Sequence, residues 1–291
     1  MERLKKIAQS YLPPPVARVA RRAISHYRFR KQLEACKAGF EEHGDEYPQS
    51  TLFVAGLPKS GTTWMERMLC SYPGFHQIMI PEAVRYEVEA GGSHNFDVPE
   101  DTFERLRGAL AVLKLHVHGS PHNVELLREA GLRYLIMYRD LRDVAVSHYF
   151  YVRRTPWHPE HSRYCKLDIE EGLLHFGRTL LPSFVEWVRL WHESRDPNMS
   201  LMVRYEDLLQ QTEHVFSEVA ALFDLDDSPE NISAIVEAHS FKNMSGGRQK
   251  GQQSESSFFR KGISGDWQNH FTEPVKIAFK NRGSGFWVEH G

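Results

Sequence analysis

A short polar loop between an apolar run and a helical pattern has the composition of a phosphate-binding turn. The loop contains Lys59, Ser60, Gly61, Thr62 and Thr63. It follows the apolar run 51–56 and precedes the helical pattern 65–70. A buried strand, a Gly/Ser/Thr loop and a helix in this order direct backbone N–H groups and the positive helix end at one anion. The sequence therefore predicts a phosphate-ester site here.

The loop differs from the loops that bind Mg-bound triphosphates. Gly56 and Gly61 have the G-x-x-x-x-G spacing, but Thr62 stands where an ATP- or GTP-hydrolysing loop carries its Lys. Lys59 is the only Lys in the loop. We therefore expect a phosphate ester as ligand, with a nucleotide kinase or hydrolase as the alternative.

Two distant segments supply groups that suit a second phosphate. They are Arg139 and Ser147 in one segment and Arg260, Lys261 and Gly262 in the other. A guanidinium, an ammonium, a hydroxyl and a free backbone N–H together suit a phosphate. Each group also has a structural alternative, since Arg139 could pair with Asp143. Their occurrence together with the first loop favours a second anion site.

These residues lie beside predicted strands that alternate with helices. The predicted strands are 51–56, 111–117, 133–138 and 200–204. The predicted helices after the first loop include 141–151, 169–192, 213–223 and 230–238. This alternation predicts an α/β, P-loop-like three-layer fold with a mainly parallel central sheet flanked by helices. Ligands of such sheets bind beyond the carboxyl ends of the strands, where the two anion sites would converge.

Composition restricts the class of protein. The 291 residues are 41% hydrophobic and 25% charged, and the net charge of −2 predicts no general attraction to nucleic acid. Three cysteines without ligand spacing make a disulfide framework unexpected, which favours a reducing cytoplasm. No apolar run reaches the ~20 residues of a membrane span.

The first residues differ from the rest in charge. Residues 1–37 carry ten Lys and Arg residues against two Glu. We expect residues 1–48 to form a basic helical extension and residues 49–291 to form the main domain. The extension is either an amphipathic helix for an anionic membrane surface or acidic polymer, or a leader helix packed on the domain.

Four segments in order resemble the signatures of the PAPS-dependent sulfotransferase family, most closely its cytosolic type. They are 59–64, 139–147, 204–208 and 260–267. The resemblance covers residues 51–272 and implies 3′-phosphoadenosine 5′-phosphosulfate as donor, with no metal required. It implies that the first loop holds the 5′-phosphosulfate and that the second set holds the 3′-phosphate. A donor with two separate phosphates accounts for two separate anion sites.

The resemblance also implies roles for aromatic residues. Trp64 and Phe241 match positions whose rings hold the adenine, and Tyr205 matches a residue near it. Stacking of a base on an aromatic ring is worth about 1–3 kcal/mol. Core packing is the alternative for each ring. His239 stands where the family often has Thr, so its contact with the adenine stays open.

Lys114 and His116 match the family's Lys-x-His, which implies that His116 is the general base. An imidazole with an unperturbed pKa near 6.5 is mostly neutral at pH 7 and can accept a proton. Lys59 and Lys114 would stabilise the leaving phosphate. The alternatives for His116 are a structural role or metal ligation with His118, for which no third ligand has a convincing spacing. A binding module without catalysis is a further alternative for the chain.

The acceptor and the oligomeric state stay open. The acceptor hydroxyl could belong to a phenol, alcohol, lipid or glycan, because aromatic and basic residues follow one another near the second anion site. They are Tyr149, Phe150, Tyr151, Arg153, Arg154, Trp157 and Arg163. The loops 89–100 and 153–166 could vary with the substrate. Many cytosolic members dimerise through a motif that includes a Thr-Val pair, whereas Glu273 and Pro274 follow Thr272 in this chain.

Overall fold

A parallel sheet forms the centre of the computed structural model, which describes residues 14–92, 94–252 and 260–282. Its strands are β1 (Thr51–Gly56), β2 (His76–Ile78), β3 (Ala111–Leu115), β4 (Tyr134–Tyr138) and β5 (Ser200–Arg204). Their order is β2-β3-β1-β4-β5, and every neighbouring pair is parallel. The predicted α/β three-layer fold is confirmed.

Helices flank the sheet and supply its connections. They are α1 (Pro14–His43), α2 (Thr62–Leu69), α3 (Pro81–Ala90), α4 (Thr102–Arg105), α5 (Pro121–Glu129), α6 (Leu141–Arg153), α7 (His161–Tyr164), α8 (Ile169–Thr179), α9 (Leu181–Ser194), α10 (Tyr205–Gln210), α11 (Thr212–Leu222), α12 (Pro229–Ala238), α13 (Phe241–Met244) and α14 (Glu273–Arg282). Short 3₁₀ turns occupy Gly44–Glu46 and Asp266–Asn269. None of the helices described has both the length and the apolar character needed to cross a membrane.

Three elements differ from the sequence prediction. The predicted helix 169–192 is two helices, α8 and α9, that meet at Leu180. Pro182 lies in the first turn of α9 and has no N–H with which to continue α8. β2 was not predicted, because it has three residues of which two are exposed. β3 ends at Leu115, two residues before the predicted end.

The core lies on both faces of the sheet. All six residues of β1 are buried, as expected for the central strand of a covered parallel sheet. Leu52 and Val54 pack with α2 and α11 on one face, whereas Phe53 and Ala55 pack with α6, α8 and α9 on the other. This double cover fixes the carboxyl end of β1, where the first loop begins.

The second half of α1 packs against the β2 edge of the sheet. The Leu110 N–H donates to the Cys36 carbonyl at 2.9 Å, and the Met79 N–H donates to Gln32 Oε1 at 3.2 Å. A Cβ at Gly39 would lie 2.1 Å from the Gly74 carbonyl oxygen, so only glycine permits this approach. The boundary at residue 48 stays a prediction, and residues 1–13 lie outside the described part of the chain.

Candidate functional site

A cavity of about 310 Å³ brings the two expected anion sites together, beyond the carboxyl ends of β1, β3 and β4. Fourteen of the fifteen predicted site residues line it: Lys59, Gly61, Thr62, Thr63, Trp64, Lys114, His116, Arg139, Ser147, Tyr205, Phe241, Arg260, Lys261 and Gly262. Ser60 is the exception. It is fully buried behind the loop, and its hydroxyl has no hydrogen-bond partner among the described residues.

The first loop has a backbone that only certain residues tolerate. Lys59 and Gly61 have φ angles of 71° and 78°, in the left-handed region that costs a non-glycine residue about 1–2 kcal/mol. A Cβ at Gly61 would also lie 2.6 Å from the Tyr205 ring. No side chain in the described part of the chain caps the start of α2, so its positive end faces the cavity. The loop thus has the backbone of an anion cradle.

Positive charge accumulates around Lys59. Burial, followed by the nearby charges of Arg154, Arg139 and Lys114, lowers the pKa of Lys59 to about 7. The Lys59 ammonium lies 4.0 Å from the centre of the Tyr151 ring, a cation–π contact. An anion in the cavity would relieve this repulsion, because an opposite charge favours the protonated lysine.

The tautomer of His116 follows from its hydrogen bond to Gly56. His116 Nδ1 lies 2.5 Å from the Gly56 carbonyl oxygen, which can only accept. Nδ1 therefore carries the proton, and Nε2 keeps its lone pair. Burial and then the charge of Lys114 lower the pKa of His116 to about 3, so the imidazole is neutral at pH 7. His118 instead bonds to Asp97 at 3.1 Å, so the two imidazoles have different partners.

Lys114 has a carboxylate partner that was not predicted. Its Nζ lies 3.8 Å from Oε2 of Glu66, which is 7% exposed on α2. Burial raises the pKa of Glu66, and Lys114 opposes that rise. The pair holds the lysine above the loop helix. A Glu on the buried face of α2 was the available sequence signal.

The second anion site is assembled by buried carboxylates. Arg139 donates to Asp143 at 3.3 Å and to the Ile263 carbonyl at 3.0 Å. Arg260 and Lys261 both pair with Asp266. Burial opposes ionisation of Asp266, but hydrogen bonds from His270, Lys261 and Arg260 hold its pKa well below the usual range. The cations are therefore positioned before any ligand binds.

Asp143 joins the two halves of this second site. Besides Arg139, it accepts hydrogen bonds from the N–H groups of Gly265 at 2.7 Å and Trp267 at 2.9 Å. It is 1% exposed. The pairing of Arg139 with Asp143, which the sequence analysis gave as the structural alternative, is therefore present. The same carboxylate also attaches the segment after Lys261 to α6. Sequence reasoning missed this second contact, which joins residues more than a hundred positions apart.

The aromatic side chains near the loop are held by direct contacts. Trp64 Nε1 donates to the His239 carbonyl at 2.9 Å. His239 Nδ1 in turn bonds to the Ile235 carbonyl at 3.0 Å. A Cβ at Gly262 would lie 2.3 Å from the Phe241 ring, so this glycine lets the ring approach the loop. Trp64 and Phe241 therefore belong to one wall of the cavity.

Apolar side chains form part of the opposite end of the cavity. Its lining includes Met79, Ala83, Leu180 and Phe184. Of the aromatic and basic residues expected near the acceptor, only Tyr151 lines the cavity. The others are not among its lining residues. Tyr149, for example, is buried against Tyr164.

The two loops expected to vary with substrate meet at this end. His158 Nε2 donates to the Gly91 carbonyl at 3.0 Å, and His158 Nδ1 accepts from the Glu160 N–H at 3.2 Å. Burial lowers the pKa of His158, which keeps both bonds in place at neutral pH. The imidazole therefore links loop 153–166 to loop 89–100.

Comparison with known proteins points to one family. Residues 49–282 match the family model of the sulfotransferase domain. Sulfotransferase 1E1 of Cavia porcellus is 26% identical over 243 residues, covering 78% of this chain and 80% of the relative. The fold is similar to that of a mouse sulfotransferase complexed with PAP (TM-score 0.57, 18% identity, 88% of this chain and 92% of the other). It is equally similar to retinol dehydratase in complex with androsterone and PAP (TM-score 0.57, 20% identity, 84% of each chain).

Replacing Asp143 tests the assembly of the second anion site. In Asp143→Asn, an amide N–H₂ replaces one acceptor and removes the nearer carboxylate from Arg139, whose other carboxylate, Glu206, lies 3.9 Å away. We expect the free energy of unfolding to fall by about 3 kcal/mol in urea titrations. Trypsin should also cleave faster after Arg260 and Lys261.

Glu186→Gln is the matched control, because it breaks an exposed pair with Arg189. It should cost less than about 1 kcal/mol. Unchanged stability and unchanged cleavage in Asp143→Asn would show that this carboxylate does not hold the segment.

Proposed function

The chain belongs to the sulfotransferase family, and we propose that it transfers the sulfuryl group of 3′-phosphoadenosine 5′-phosphosulfate to the hydroxyl of a small acceptor. One observation carries the proposal. Two separate sets of anion-binding groups line a single cavity, and a neutral imidazole with a free Nε2 lies at the same cavity. A kinase or hydrolase would use only one of these sets and would need a Lys at position 62.

The donor would span the cavity from one anion site to the other. Its 5′-phosphosulfate would bind the backbone of the Lys59–Thr63 loop and the Lys59 ammonium. Its 3′-phosphate would bind Arg139, Ser147 and the Arg260–Gly262 segment. The adenine would lie against Trp64 and Phe241, with Tyr205 close by. Support comes from their shared cavity and from the preformed pairs that orient the cations.

Transfer would proceed by in-line attack of the acceptor oxygen on sulfur. A bond forms between that oxygen and sulfur while the bond from sulfur to the bridging phosphate oxygen breaks. His116 Nε2 takes the hydroxyl proton, and 3′,5′-bisphosphoadenosine leaves. Lys59 and Lys114 stabilise the charge that develops on the leaving phosphate. Donor binding adds negative charge, which raises the proton affinity of His116 from its low value in the empty cavity.

The acceptor would be a small molecule rather than a glycan. The acceptor end offers the apolar side chains of Leu180 and Phe184, and neither Arg153 nor Arg163 lines it. The related fold of retinol dehydratase holds androsterone, a small hydroxylated compound. A screen of hydroxylated compounds with radiolabelled donor tests transfer directly. Absence of transfer to every class of hydroxyl, with bisphosphate nucleotide bound, would indicate a binding module.

We also propose a cytoplasmic protein that touches an anionic membrane through α1. Its outer side exposes Ile24 and Tyr27 beside Arg28, Arg30 and Lys31. This arrangement suits an interfacial helix. The protein should sediment with phosphatidylserine vesicles. The double variant Arg28→Glu and Arg30→Glu should remain in the supernatant. Equal sedimentation with phosphatidylcholine vesicles would contradict the charge-based contact.

His116→Asn tests the general base with a matched side chain. The Asn amide can replace Nδ1–H as donor to the Gly56 carbonyl, but it offers nothing in place of Nε2. We expect kcat to fall by about 10²–10⁴-fold, with affinity for 3′,5′-bisphosphoadenosine within about threefold of wild type. Single-turnover kinetics and calorimetry measure the two quantities. Full turnover in the variant would remove the base assignment.

The pH dependence of donor-site binding tests Lys59. Above its pKa of about 7, the free enzyme loses the ammonium that the bound anion requires. Affinity for 3′,5′-bisphosphoadenosine should therefore fall by up to about tenfold per pH unit between pH 7.5 and 9. Titration calorimetry in buffers of different ionisation enthalpy should detect the proton uptake.

Lys59→Arg is the control, because its guanidinium stays charged throughout this range. Its affinity should change much less with pH. The assignment fails if wild type and Lys59→Arg show the same pH profile.

A further inference from the structure

One carboxylate stands out among the charged groups of the cavity. Ala83, Glu87 and Gly91 follow at intervals of four residues from α3 into its cap, and all three line the cavity. Six lysines and arginines line it as well, whereas Glu87 is the only Asp or Glu among its described lining residues. A single negative charge at an anion-binding cavity calls for an explanation.

The Glu87 side chain is not used by the fold. Within residues 14–92, 94–252 and 260–282, its carboxylate makes no hydrogen bond or ion pair, whereas that of Glu82 in the same helix does. Glu82, one turn earlier, is held by Arg105 at 3.0 Å. Burial raises the pKa of Glu87, and the charges of Lys114 and Lys59 act against that rise. A carboxylate withdrawn from water is normally paired, but the half-buried Glu87 is influenced by these two lysines without a direct contact.

Donor binding would leave Glu87 more isolated. The donor's phosphosulfate would occupy Lys59 and Lys114, whose charges compensate Glu87 in the empty cavity. Like charges repel, so a carboxylate here weakens donor binding unless another ligand offsets it. The offset must then come from the acceptor, the second ligand of the same cavity.

The histidines and the tyrosine that line this end of the cavity supply no such charge. Burial lowers the pKa of His94 to about 4 and that of His148 well below its ordinary value, so both are neutral at pH 7. Both ring nitrogens of His158 are engaged by backbone groups. Tyr151 adds no positive charge, and its ring already faces Lys59.

We propose that Glu87 determines acceptor specificity, and that the acceptor is a hydroxylated amine whose ammonium pairs with Glu87 while its hydroxyl faces His116. This inference rests on the proposed function. Ala83 and Gly91 flank Glu87 on the cavity wall with little bulk, which leaves room for an ammonium beside the carboxylate. The apolar side chains of Leu180 and Phe184 would contact the carbon skeleton.

Matched acceptor pairs test this assignment. Tyramine differs from 4-ethylphenol, and 6-aminohexanol from 1-heptanol, only by an amine in place of a methyl or hydrogen. Wild type should favour the amine of at least one pair by about tenfold or more in kcat/KM. Glu87→Gln should lose at least about tenfold on that amine and stay within about threefold on its uncharged partner.

Two controls separate acceptor recognition from other effects. Glu89→Gln removes an exposed charge from the same helix outside the cavity lining and should behave as wild type. Calorimetry with 3′,5′-bisphosphoadenosine should give Glu87→Gln an affinity equal to or tighter than wild type, because a like charge is removed.

Three results would overturn the inference while sulfuryl transfer stands. They are preference for the uncharged compound in both pairs, equal loss on both members of a pair in Glu87→Gln, and more than about tenfold loss of nucleotide affinity in that variant. If wild type neither binds the bisphosphate nucleotide nor transfers sulfate, the proposed function fails, and this inference fails with it.

Discussion

Repulsion between buried cations is the constraint on which this site depends. Lys59 and Lys114 are brought together with Arg139 and Arg154 where three parallel strands end, and burial with mutual repulsion lowers the pKa of Lys59 to about 7. A protein can keep such a cavity only if the rest of the fold is stable enough to hold the cations together. The doubly covered sheet, with β1 buried along its whole length, provides that stability. An anionic ligand then removes the electrostatic repulsion present in the empty cavity, and this gain strengthens its binding.

Carboxylates pair with cations of the cavity, so both anion sites are formed before a ligand binds. Asp266 holds Arg260 and Lys261, and Asp143 holds Arg139 together with the backbone after Gly262. Glu66 does the same for Lys114 at 3.8 Å. These three acids lie behind the cations, away from the ligand, whereas Glu87 lines the cavity itself. That difference in position separates carboxylates that position cations from one that is available to an acceptor.

The sequence predicted those structural features that depend on residues close together in the chain. β1 and β5 begin and end where the apolar runs do, and the Gly/Ser/Thr loop after β1 leads into a helix as expected. β2 was not predicted because three residues, two of them exposed, are too few to show a periodic pattern. The roles of Asp143, Asp266 and Glu87 depend on which distant groups the fold brings beside them, so their local sequence context contained no evidence for those roles. The same reason explains why most of the aromatic residues after Ser147 pack into the protein instead of lining the cavity.

The central claim is that one cavity binds a nucleotide at two separate phosphates, and Arg139→Ala tests it most directly. Calorimetry would compare 3′,5′-bisphosphoadenosine with adenosine 5′-phosphosulfate, which lacks the 3′-phosphate. Loss of a charged hydrogen bond predicts about 10–100-fold weaker binding of the bisphosphate. The affinity for adenosine 5′-phosphosulfate should change by less than about threefold. Because the two ligands are compared within one variant, any general loss of folding cancels, and equal weakening of both would contradict the two-site account.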